Sequence, residues 1–138
     1  MDIRTFITSG NATGTLTSLK SGAHFTFKFR KVQDRNDRFF VSLLTGPNNE
    51  EDYSYAGLMH IHSGSGHLSF QVTGKSCVGN DCISVKALRW ALAKVNRGEA
   101  LDPQGKFQHE GRCGRCGRKL THPESIETGL GPECAAKV

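Results

Sequence analysis

Four residues near the C-terminus carry the side chains best suited to chemistry. Cys113 and Cys116 flank a Gly-Arg pair in Cys-Gly-Arg-Cys-Gly-Arg, Cys134 follows in Gly-Pro-Glu-Cys, and His109 precedes the pair in His-Glu-Gly-Arg-Cys. A tight turn bearing two thiolates can aim both sulfurs at one metal ion. A third thiolate and an imidazole would complete the closed Cys3His sphere of a structural zinc site. Gly114 and Gly117 permit positive φ in such a turn and let backbone N–H groups approach the sulfurs. Pro132 suits the first position of a helix, which places Cys134 in its first turn, where the dipole favours a thiolate. The fourth ligand is open: His109 leads on spacing, with His122, Cys77, Cys82 or a water-bearing position as alternatives. A Cys3His sphere has no place for a substrate, so the expected role is a staple rather than catalysis.

Composition gives the reason for a staple. The 138 residues include sixteen glycines and are 36% hydrophobic, enough for one domain with a small appended module. Residues 109–138 are too glycine-rich and too poor in apolar side chains to fold as about thirty residues unaided. Five cysteines are an odd number. The N-terminal residues do not read as a signal peptide, and no apolar run approaches the ~20 residues that cross a bilayer. Metal-bound thiolates in a reducing cytosol are therefore expected in place of disulfides or a membrane role.

The elements that must position these residues lie upstream. Residues 11–20 read as a first edge strand. From His24 to Arg30, Phe25, Phe27 and Phe29 alternate with His24, Thr26, Lys28 and Arg30, a half-buried strand with one aromatic and one basic face. Phe39 to Leu44 is apolar on both faces, as a central strand would be, and pairs with it as a hairpin. Gly46 to Asp52 is an exposed acidic loop. Tyr55–His62 and His67–Thr73 predict a second hairpin, with Ile61 opposite Leu68, Met59 opposite Phe70 and Gly57 opposite Val72. His60, His62, His67 and Ser69 share its other face. Ser84 is the expected N-cap of a helix from Val85 to Arg97, closed by Gly98. That helix should pack Val85, Leu88, Leu92 and Val95 on the sheet and turn Lys86, Trp90 and Arg97 outward. The expected fold is α+β: a small antiparallel sheet of four or five strands and one helix in residues 1–98, a linker over 99–108, and a treble-clef-like or ribbon-like zinc knuckle over 109–138.

The formal net charge is +5 and the pI about 9.1, a balance that suits an acidic partner such as nucleic acid. The basic residues fall in three groups: Arg112, Arg115, Arg118 and Lys119 around the cysteine turn, Lys86 and Arg97 with Trp90 on the helix, and Lys28 with Arg30 on one strand. Cations beside an exposed aromatic suit phosphate contacts with base stacking. Their alternative is an ordinary solvated surface, with Trp90 packed under the linker. His60, His62 and His67 read as solvent-face residues, and Cys77 and Cys82 as plain thiols. No phosphate loop, nucleophile elbow, zinc-protease helix or dinucleotide fingerprint is present, so an enzyme is not expected.

The C-terminal run Cys-Gly-Arg-Cys-Gly-Arg-Lys-Leu-Thr, with Pro123-Glu124-Ser125-Ile126, Gly129, Gly131-Pro132 and Cys134, resembles an uncharacterised family of small phage and bacterial proteins. Phe39 to Gly57 looks similar to that family too, so the resemblance spans roughly residues 25–135. It implies a phage or mobile-element setting and a metal-binding end, and it brings no activity with it. The expected function is a non-enzymatic zinc protein that binds nucleic acid or a nucleic-acid-processing complex. The alternatives are a phage-encoded inhibitor of a host defence system acting by protein–protein binding, and a small metalloenzyme.

Overall fold

The computed structural model describes residues 1–48, 50–121 and 123–137. Its strands are β1 (Asn11–Ser18), β2 (His24–Lys31), β3 (Arg38–Leu44), β4 (Tyr53–Ile61), β5 (Leu68–Gln71) and β6 (Gly105–His109). Its helices are α1 (Ile3–Ile7), α2 (Ile83–Asn96), α3 (Pro123–Thr128) and α4 (Pro132–Ala135). The strands form one antiparallel sheet in the order β5-β4-β3-β2-β1-β6. The architecture is α+β as expected, with six strands among the described residues where four or five were predicted.

Alternation builds the core. Ala12, Leu16, Phe27, Phe29, Val41, Phe39, Met59, Leu68 and Phe70 all point to one face of the sheet and are buried. Helix α2 covers that face with Val85, Leu88, Ala91 and Leu92. The predicted β4–β5 register holds at Ile61–Leu68 and Met59–Phe70. Between Val41 and Ser42 the β3–β4 register steps, with Gly57 facing Val41 and Tyr55 facing Ser42, so Ala56 is the extra residue of a bulge.

Four expectations change. Residues 105–109 are not linker: they form β6, the edge strand beside β1, and this makes β1 an interior strand. The fit is steric, because Phe107 crosses Gly14 so closely that a Cβ there would lie 2.2 Å from its Cζ. The N-terminal residues, which show little pattern, form α1, capped by Asp2 accepting from the Arg4 N–H at 3.1 Å. Helix α2 begins two residues early with Cys82 at its cap, and Ser84 is buried inside the first turn instead of capping it. Trp90 does not project outward; it is half-buried against the core and packs over Gly105. Among the described residues no helix is long and apolar enough to cross a membrane.

Candidate metal centre and the adjoining cleft

The cysteine turn is shaped by its backbone. The Gly117 N–H donates to the Cys113 carbonyl at 2.9 Å, the Cys113 N–H donates to the Arg118 carbonyl at 2.8 Å, and Arg112 and Lys119 form a single antiparallel bridge behind the turn. Gly117 has φ +79°, as the turn requires, whereas Gly114 serves close approach: a Cβ there would sit 2.7 Å from the Phe6 ring. Pro132 opens α4 and carries Cys134 in its only turn.

These elements bring the Sγ atoms of Cys113, Cys116 and Cys134 within 4.8 Å of one another. Cys113 and Cys134 are buried and Cys116 is exposed. All five cysteines are free thiols. Burial pushes the Cys113 thiol up, but hydrogen bonds from the backbone at Gly131, Cys116 and Arg115 outweigh it and hold the thiol at about 7. Burial raises Cys134, only partly offset by the Arg115 guanidinium, which donates to its sulfur at 3.7 Å. The one-turn helix therefore does not depress Cys134 as its position suggests. Three sulfurs this close, one with its thiol held below the usual range, form a donor set that can hold a metal ion.

His109 is not part of the cluster. The pleat of β6 sends its ring toward Phe6, 5.7 Å between centroids. Its Nε2–H donates to the Ile126 carbonyl, because a carbonyl can only accept. The single remaining lone pair, on Nδ1, accepts the Gly111 N–H at 2.9 Å. With both ring nitrogens engaged, His109 braces the connection to α3 and lies apart from the three sulfurs. His122 lies outside the described residues. Cys77 and Cys82 are exposed near the start of α2 and do not join the cluster.

The predicted binding residues separate into distinct places. Lys86 and Trp90 line a groove between α2 and the β1–β2 turn. Arg97 is paired with Glu99 at 2.7 Å. Arg115, Arg118 and Lys119 border a 390 Å³ cavity at the three sulfurs. Lys28, Arg30 and Arg112 converge on a 330 Å³ cleft between β2 and the cysteine turn, whose walls also carry Glu50 and Glu110.

Sequence reasoning missed the open face of the sheet, opposite α2. Phe40 stands there 44% exposed, in register with Arg30 on one side and Leu58 on the other. Its ring meets Tyr55 edge-on at 6.2 Å, and Lys28 Nζ lies 4.1 Å above the Tyr53 ring. Burial lowers His60 on this face, reinforced by Arg38 and His62. Arg38 Nε, Tyr53 OH and His60 Nε2 are buried there without hydrogen-bond partners. The doubly apolar pattern of β3 was the available signal. It predicted a central strand, which β3 is, but not that its second face would stay uncovered.

Fold and cluster together define an α+β chain ending in a three-cysteine group able to hold a metal ion. Residues 106–138 match the model of a family of unknown function, DUF6011. The match spans the cysteine segment and β6, a shorter stretch than the expected resemblance. No curated protein and no solved structure matches the chain.

Proposed function

We propose that the chain is a non-enzymatic, zinc-stapled protein that binds nucleic acid or a complex processing it. One observation carries this reading: Lys28 and Arg30 from the sheet and Arg112 from the cysteine turn meet on one cleft. Cations held by separate elements at a shared opening suit phosphate oxygens. Glu50 and Glu110 on the same walls temper the field, which favours a selective binder over a strong indiscriminate one.

Zinc suits the donor set. With Zn–S bonds of about 2.3 Å, tetrahedral sulfurs sit roughly 3.8 Å apart, within the observed limit. When bound, the ion supplies a cross-link between the turn and α4, in a treble-clef-like arrangement. The chain's own part is to fix Arg112 against the sheet. The phage or mobile-element setting rests on the sequence resemblance alone.

Two measurements test this. Protein purified without chelator is expected to carry about one equivalent of zinc, and less than half an equivalent would sink the staple. The folded protein is expected to be retained on single- or double-stranded DNA at low salt, with retention lost in a Lys28→Glu/Arg30→Glu/Arg112→Glu variant. Absence of retention together with a stable host-protein complex would replace this reading with the defence-inhibitor one.

A further inference from the structure

We infer that the open face of the sheet is a platform for single-stranded nucleic acid, with Phe40 as the ring on which a base stacks. The inference rests on the nucleic-acid reading above and adds the strand form and the contact surface.

Three independent features meet on this face. The first is an exposed aromatic on an interior strand: β3 is flanked by β4 and β2, yet Phe40 remains 44% exposed. A large ring so placed is normally covered, and here α2 lies wholly on the other side. The second is charge. Arg30 is the direct cross-strand neighbour of Phe40, Arg38 lies two residues before it on the same face, and Lys28 is adjacent through Ser42. Against these stand Glu50 and Glu110 at the cleft, while Asp37 is already paired with Arg35 at 3.2 Å. The third is incomplete pairing. Among the described residues, the buried side-chain polar atoms without partners, Arg38 Nε, Tyr53 OH and His60 Nε2, all belong to this face. Buried polar groups are ordinarily satisfied, so the polar pairing of this face is incomplete.

A ring flanked by guanidinium and ammonium groups matches a base with its phosphates. Stacking needs a base face, which duplexes hide and single strands offer. A sheet surface accommodates an extended strand, and the cleft at Arg112 continues the cationic track toward the cysteine turn. An acidic peptide would satisfy the charges but gains less from the bare ring.

The test uses the metal-loaded full chain, a labelled oligothymidine and a duplex of equal length, read by fluorescence anisotropy at low salt. The single strand is expected to bind more tightly than the duplex. Phe40→Ala should weaken single-strand binding roughly five- to hundredfold and leave the weaker duplex binding unchanged. Phe40→Trp should restore it. Phe40→Leu keeps apolar bulk against Tyr55 and removes the ring, so loss of binding with an unchanged melting temperature separates stacking from folding. Equal binding of both forms, or indifference to Phe40, overturns the inference. If the Lys28/Arg30/Arg112 reversal still abolishes binding in that case, the broader nucleic-acid reading stands alone. If neither nucleic acid binds while polyglutamate does, both fall.

Discussion

The sheet and the cysteine segment are held together by different physics. The sheet buries a continuous cluster from Phe6 to Leu101, dominated by phenylalanines, leucines and α2. Among the described residues, the segment after β6 buries only Cys113, Leu120, Leu130 and Cys134 as its own hydrophobic cluster, and two of those are candidate ligands. Burial can stabilise the first part without help. The second lacks the apolar area to offset its chain entropy and depends on its thiols and on contact with the first.

The largest expected effect breaks that contrast directly. Removing the metal with a chelator, or Cys113→Ser, should abolish amide protection across residues 111–135 while β2, β3 and β4 keep theirs. Structural zinc is worth about 10–16 kcal/mol in isolated fingers. Hydrogen exchange that shows the segment protected without metal would erase the distinction. Next, Phe29→Ala should cost the sheet about 3–5 kcal/mol, lowering its denaturation midpoint while zinc content at saturation is unchanged. Phe6→Ala falls in the same range but should act on both parts, because its buried ring packs on Phe107 and His109 and against the backbones of Gly114 and Gly129. Its signature is a lower melting temperature together with weaker zinc retention in a competition titration. The smallest effect sharpens the sheet side. Asn96 accepts the Leu68 N–H and donates to the Leu68 carbonyl, both at 2.8 Å, closing the β5 edge. Asn96→Ala should cost about 1–3 kcal/mol, seen as faster exchange at Leu68 with the cysteine segment unaffected.

What could be read in advance follows the same division. Strands β2 to β5 were legible because each carries its own apolar pattern, alternating or, in β3, on both faces, and the three sulfurs because their spacing is a ligand spacing. Strand β6 was not, since Phe107 is its one large apolar side chain and its place is decided by Gly14 across the ladder. Helix α1 carries Ile3, Phe6 and Ile7 at helical spacing, but five residues are too few for that period to stand out. His109 lies outside the sulfur cluster because spacing gives reach and not direction: the strand's pleat turned the ring toward Phe6. Trp90 took the alternative expected for it, packed under residues 99–108, because Gly105 offers a flat backbone to lie on.

The position of Phe6 has a consequence for synthesis. Its ring is synthesised well before part of its cover, the backbones of Gly114 and Gly129. β1 likewise waits for β6 to occupy its second edge. A chain stalled before residue 105 would present an unpaired strand edge beside a partly bare phenylalanine, the combination that chaperones and quality-control proteases recognise. Docking of β6 and the cysteine segment then covers a surface made well before them.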